Sequence, residues 1–273
     1  MNNLLILGGS GVLGSAVVNE LRKTTANFLI GSRQPIKAAA YGPVNQAADG
    51  PWRPVDLLTG EGLGEALAGI DTVLHLASAQ GNLKGEAKDV VMMRQLLKAL
   101  KPSKVTHLVY SSIVGVDRVP YRYYQAKLKS ETLIQQSPVP YTILRATQLH
   151  ELVDFALSKL LRFPIGLVPE TGLIQPISAQ AVAQELLRLT VGQAGQTLKN
   201  LGGPQIYTGR TLARLWQQHQ QVRKPTLPIP ALGATLKSIA DGGLTCPAFA
   251  SPSQTWEAYL TAKYGEGHRW AKG

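Results

Sequence analysis

Cysteine is almost missing from this chain. The single Cys246 cannot form an internal disulfide and leaves no thiolate zinc cluster within one chain, a usage that fits a reducing compartment. Long apolar runs are missing too. No stretch approaches the roughly 18–20 residues of a membrane span, and the opening Met-Asn-Asn-Leu-Leu-Ile-Leu-Gly-Gly lacks the basic start and extended apolar core of a secretion signal. The expectation is a cytoplasmic protein with no membrane partner. Acidic side chains are scarce, 17 against 28 Lys and Arg in 273 residues, for a formal net charge of +11. The cations are scattered and never form a run of five or six, so nucleic acid is not the expected partner. The positive field favours an anionic ligand such as a nucleotide phosphate. His75, His107, His150, His219 and His268 show no metal-ligand spacing, and no Gly-x-Ser-x-Gly elbow is present. Hydrolase and metalloenzyme readings therefore find no support.

What the chain does contain is an alternation of strand-like and helix-like segments. Leu4 to Leu7 is a short apolar run closed by Gly8, as a buried parallel strand requires. Val12, Leu13, Ala16, Val17 and Leu21 follow at helical period. Further strands are expected at Phe28–Ile30, around Pro54–Asp56, at Asp71–Leu76, Val105–Tyr110 and Tyr141–Leu144. Helices are expected near 62–68, through Val90, Met93, Leu97 and Leu100, and from about Tyr121 to Gln136. Strands separated by helices of this length imply right-handed crossovers and a parallel sheet covered on both faces. The expected fold class is α/β, a Rossmann-type doubly wound parallel sheet with a smaller, mainly helical C-terminal region. Residues 1–150 would form the sheet domain, and 151–273 a C-terminal region packed on the same core. In that second part helices are expected at about 148–162, from a Ser178 N-cap to Val191, and near 211–221, 232–240 and 253–263.

Gly8-Gly9-Ser10-Gly11-Val12-Leu13-Gly14 lies directly between the first strand and the first helix. Glycines there serve the tight turn, backbone access to a pyrophosphate, and close packing of helix on strand. The helix N-terminus then offers free N–H groups and a positive dipole end to the phosphates. The second strand ends Gly31-Ser32-Arg33-Gln34-Pro35, without the acid that would accept from an NAD ribose. Arg33 suits a 2′-phosphate and Ser32 adds a hydroxyl, so NADP(H) is favoured over NAD(H).

Tyr123-Tyr124-Gln125-Ala126-Lys127 opens the helix after the fifth strand. Tyr123 and Lys127, four apart, project from one helical face. An ammonium beside a phenol makes it a usable proton donor, and the same lysine can hydrogen-bond the nicotinamide ribose. Two adjacent tyrosines leave open which one serves. Ser111 and Ser112 end the fifth strand at the carboxyl edge, where a hydroxyl can hold a substrate carbonyl. His75, between Leu74 and Leu76, reads as a core histidine, and Arg145 either contacts an anionic substrate or caps a turn. Cys246 has no neighbour that would activate it.

The ordered set Leu7–Gly14, Gly31-Ser32-Arg33, Val55-Asp56-Leu57, His75-Leu76-Ala77-Ser78, Ser111–Asp117, Tyr123–Lys127 and Leu144–Thr147 resembles the atypical short-chain dehydrogenases/reductases, in the branch that includes NmrA-like proteins. The resemblance spans about the first 150 residues. It implies that Asp56 and Leu57 flank the adenine, that Ala77 and Ser78 line the dinucleotide, and that Lys127 holds the ribose. The gap of eleven residues from Ser112 to Tyr123 is shorter than the family's usual spacing. The expected function is NAD(P)H-dependent reduction of a small carbonyl, quinone-like or enone-like substrate. The alternative is an NmrA-like regulatory protein that senses NADP(H) without turnover. A nucleotide-sugar epimerase is disfavoured by the short, Pro-broken tail. The substrate and the oligomeric state are left open.

Overall fold

The structure, a computed structural model, describes residues 3–34, 52–79 and 81–266; Pro35 and His268 lie outside these. Seven strands form one parallel sheet flanked by helices. They are β1 (Leu4–Leu7), β2 (Phe28–Ser32), β3 (Trp52–Pro54), β4 (Thr72–His75), β5 (His107–Ile113), β6 (Tyr141–Ala146) and β7 (Gln196–Leu201). Their spatial order is β7-β6-β5-β4-β1-β2-β3. The order reverses beside β1, so the crevice outside the carboxyl ends of β1 and β4 is the topological switch point, where such sheets bind ligands. Register aligns the tips: Leu7 pairs with Gly31 on one side and His75 on the other, and His75 pairs with Tyr110.

The strands stand where the apolar runs predict them, with displaced ends. β4 stops at His75 rather than Leu76 because the N–H groups of Leu76 and Ala77 both turn onto the Leu7 carbonyl, at 2.8 and 2.9 Å. β5 continues to Ile113, so Ser111 and Ser112 lie within the strand and point to opposite faces. β3 is displaced toward the N-terminus, and Asp56 instead builds a turn, its carboxylate accepting from the Leu58 N–H at 2.8 Å. β7 was not expected. Gln-Thr-Leu-Lys-Asn-Leu is largely polar and exposed because the strand lies at the sheet edge, where apolar alternation is weak.

Helices follow: α1 (Val12–Leu21), α2 (Leu63–Ala66), α3 (Lys88–Leu100), α4 (Arg122–Gln135), α5 (His150–Leu160), α6 (Ala179–Thr190), α7 (Gly209–His219), α8 (Gly233–Ala240) and α9 (Trp256–Tyr264). The second helix is one turn, shorter than expected. Ser178 does cap α6, its hydroxyl accepting from the N–H groups of Gln180 and Ala181. No helix among the described residues is long and apolar enough to cross a membrane.

The chain divides into two compact units. One comprises Met1–Ser112, Arg122–Arg145 and Val182–Lys199; the other Ile113–Tyr121, Ala146–Ala181 and Asn200–Gly273. The first has its core between the sheet and its helices, around Leu5, Leu7, Met93, Leu96, Leu108 and Ile134. The second has a separate core that includes Leu157, Leu212, Trp216, Trp256 and Leu260. Asp154 is the second unit's buried polar hub, accepting from Trp216 Nε1 at 2.6 Å, Lys263 Nζ at 2.5 Å and the Tyr264 hydroxyl at 2.8 Å. A carboxylate removed from water needs such a full set of donors.

Candidate active site

The glycine loop leaves β1 at Gly8, whose φ of +94° suits glycine. A Cβ on Gly8 would lie 2.4 Å from the Ala77 nitrogen, and one on Gly14 would lie 2.2 Å from the Gly8 carbonyl oxygen. Both glycines are therefore required by the packing of the turn itself. Gly11 differs. A Cβ there would meet only the Gly8 oxygen, at 3.8 Å, an ordinary contact. Gly11 is also the N-cap of α1, no side chain caps the helix, and its first turn carries no acid. Ser10 and Gly11 are exposed, with Val12 and Leu13 half-buried behind them. Room above Gly11 and an uncapped positive helix end fit an approaching pyrophosphate.

At the tip of β2, Ser32 is already engaged: its hydroxyl donates to the Gln34 carbonyl at 2.6 Å and accepts from Trp52 Nε1 at 2.9 Å. Arg33, next along, is exposed. Asp56 spends its carboxylate on its own turn, and Leu57 is packed into the first unit's core.

Along α4, Tyr123, Lys127, Ser130, Glu131 and Ile134 fall at helical spacing on one face, and the last four are buried. Lys127 is 3% exposed. Its ammonium lies 3.6 Å from Asp89 Oδ2 and 4.8 Å from the Tyr110 ring centre, and it donates to the Ser111 carbonyl at 3.4 Å. Burial, the largest single influence, pulls the Lys127 pKa down, but Tyr110, Tyr123 and Asp89 together outweigh it and hold it above the usual lysine value. The ammonium is charged. Tyr110 is raised as well, by burial, with Lys127 opposing. His75 stacks on Tyr110 at 5.5 Å, and burial, then Lys127, lowers its pKa to about 3. It is a neutral core histidine, as expected, but not a satisfied one, since its buried Nδ1 has no hydrogen-bond partner among the described residues.

The Tyr123 hydroxyl lies 2.7 Å from Ser78 Oγ, and Ser78 donates to Asp89 Oδ2 at 2.7 Å. Tyr123, Ser78, Asp89 and Lys127 thus form one connected polar cluster, and Ala77, just before Ser78, abuts Gly8 at the switch point.

A sequence model of the NAD(P)H-binding family matches residues 8–187. The chain belongs to that family. Its fold is that of the short-chain dehydrogenase/reductase and epimerase structures. Quinone oxidoreductase 2 of Escherichia coli is 28% identical over 145 residues, 52% of this chain and 47% of that protein, so the match spans about half of that relative. The crystal structure of the NADPH-dependent quinone oxidoreductase QOR2 from the same organism superposes with a TM-score of 0.76 at 18% identity, covering 96% of this chain and 99% of that one. A nucleoside-diphosphate-sugar epimerase from Staphylococcus aureus superposes at 0.75 with 20% identity, covering 94% and 99%.

Within this family fold the sequence-predicted residues separate into two groups. Tyr123, Lys127 and Ser78 come together. Ser112 does not join them: its hydroxyl donates to Glu131 Oε1 at 2.5 Å, and Glu131 is gripped by Arg145 Nε at 3.0 Å and Nη2 at 2.6 Å. Arg145 lies inside β6 rather than after it and forms this buried ion pair with Glu131. Ser111 enters the cluster through its carbonyl rather than its hydroxyl. Tyr124 lies beside Tyr123 with ring centres 6.1 Å apart. Asp89 was missed. An acid in a helix's first turn is ordinary, and nothing local ties it to a lysine on another helix. Cys246 is buried, and burial, partly offset by Arg118, pushes its thiol up to about 11, so it is inert.

Proposed function

We propose that the chain is an NADPH-dependent reductase of a small carbonyl, quinone-like or enone-like acceptor. The observation that carries this reading is the cluster of Tyr123 and charged Lys127 in the same unit as the uncapped glycine loop. The likeness to quinone oxidoreductase 2, named as NADPH-dependent, supports the acceptor class and the coenzyme.

In this reading the backbone N–H groups of residues 10–14 hold the pyrophosphate, Arg33 faces the 2′-phosphate, residues 56–57 and 77–78 line the dinucleotide, and Lys127 binds the ribose. Bound reduced nicotinamide supplies the hydride. Tyr123 gives the proton to the acceptor's oxygen, and Lys127 stabilises the negative charge left on the phenol oxygen. The test is oxidation of NADPH by purified protein against a panel of quinones, enones and aldehydes. Turnover with at least one class is expected, and none with any would sink the reading.

The sensing alternative draws on the engagement of Ser112 and Arg145 with Glu131, which removes two groups expected at the substrate. It requires dinucleotide binding that is indifferent to Tyr123→Phe and no turnover in the same panel.

A further inference from the structure

We infer that Asp89 is a positioning residue of this site, fixing the Lys127 ammonium and, through Ser78, the hydroxyl of Tyr123; this deepens the reductase reading and rests on it. Asp89 stands in the first turn of α3, a place where an acid is normally solvated, yet it is 3% exposed. Three polar groups face it, two of them from the cluster. Oδ1 accepts from the Ala79 N–H at 2.6 Å, while Oδ2 accepts from Ser78 at 2.7 Å and faces Lys127 Nζ at 3.6 Å.

The directions of these bonds follow from what each group can offer. A carboxylate only accepts, and Ser78 has one proton, so that proton is committed to Asp89. The Ser78 oxygen must then accept the proton of Tyr123 across their 2.7 Å contact. One anion therefore sets the orientation of two hydroxyls in series. It also supplies the opposite charge that keeps Lys127 in place, since an unpaired ammonium at this depth would lose either its proton or its position. Once Tyr123 has released its proton, Ser78 can turn its own toward the phenolate, while Asp89 keeps the Ala79 N–H and Lys127 as partners.

The test uses full-length Asp89→Asn, Ser78→Ala, Tyr123→Phe and the Ser78→Ala/Tyr123→Phe double variant. Each is checked for wild-type melting within a few degrees, then titrated with NADPH and assayed for kcat and KM. Asp89→Asn is expected to weaken NADPH binding about tenfold as Lys127 loses its partner. Ser78→Ala is expected to lower kcat about tenfold, with no further loss of kcat when added to Tyr123→Phe. A merely structural role for the pair would give additive losses. A folded Asp89→Asn protein with wild-type Kd overturns the inference, as does additivity in the double variant. If Asp89→Asn does not fold, the Ser78 cycle decides alone. If the wild type shows no turnover, the reductase reading fails, and the Kd of Asp89→Asn still decides whether Asp89 holds Lys127.

Discussion

Tyr123 shares its hydroxyl with Ser78 at 2.7 Å, on the near side of a buried ion pair between Lys127 and Asp89. Tyr124, its neighbour in sequence, is turned about 100° from it around the helix axis. On this arrangement Tyr123 is the tyrosine expected to serve as the proton donor. Tyr123→Phe should lower turnover by about a hundredfold or more, the usual worth of a general acid, with NADPH affinity unchanged. Tyr124→Phe should stay within about twofold of wild type. Steady-state assays on the two single variants check this, and equal losses would exclude Tyr123 as the specific proton donor.

The glycine loop allows fold and ligand to be separated at one residue. Alanine at Gly8 or Gly14 drives a Cβ to within 2.4 or 2.2 Å of backbone, so both variants should melt well below wild type. Gly11→Ala meets only a 3.8 Å contact and should leave melting unchanged. Gly11→Asp is the sharper probe. At an N-cap with φ −76° and ψ 173° an aspartate is favourable by a few tenths of a kcal/mol over glycine, yet its charge occupies the space assigned to the pyrophosphate. The expected result is a fold at least as stable as wild type and no calorimetric binding of either coenzyme. Retained binding would place the diphosphate elsewhere.

These contrasts show why some of the molecule was legible in the sequence and some was not. The run Leu4–Leu7, the glycine turn and the capped helix after Ser178 are specified within a few residues, so local pattern suffices. The roles of Ser112 and Arg145 depended on where β5 and β6 end. Because β5 runs on to Ile113, its alternation places Ser112 on the Tyr110 side, under α4, where Glu131 meets it. That encounter brings together three separate elements, and no spacing announces it. Asp89 was hidden for the same reason, and β7 because an exposed edge strand carries little apolar signal.

Buried histidines make stability depend on pH. His75 has its pKa lowered to about 3 by burial and by Lys127, and His150, packed against the stacked Trp256 and Tyr259 rings, to about 4 by burial, partly offset by the Pro176 carbonyl. His107 shifts down in the same sense through burial. A histidine whose folded pKa is depressed contributes stability that is complete above its unfolded value of about 6.5, and that is lost as pH falls toward the folded value, because only the unfolded chain takes up the proton. Each such residue costs at most about 1.4 kcal/mol per pH unit in that window. Urea unfolding at pH 7, 6 and 5 should show falling stability. His150→Phe, which keeps an aromatic ring against Trp256 and Tyr259, should reduce the slope by about one proton; an unchanged slope would mean that His150 is already protonated in the fold.

Coenzyme preference turns on Arg33. Two neighbours able to bind a ribose hydroxyl are otherwise engaged: the Ser32 hydroxyl bridges Gln34 and Trp52, and the Asp56 carboxylate closes its own turn. Arg33 is left exposed at the carboxyl end of β2, one strand away from the glycine loop. A charge-assisted bond to a 2′-phosphate contributes about 1.5–3 kcal/mol, so Arg33→Ala should weaken NADPH binding by roughly ten- to a hundredfold. NADH lacks that phosphate and should bind within about threefold of wild type. Raising the salt concentration should narrow the wild-type gap between the two coenzymes, because an exposed guanidinium is screened, and should leave the variant's smaller gap nearly unchanged. Parallel losses for NADPH and NADH would instead put Arg33 on a part common to both, the pyrophosphate or the adenine, and the preference for NADP(H) would then have no residue behind it.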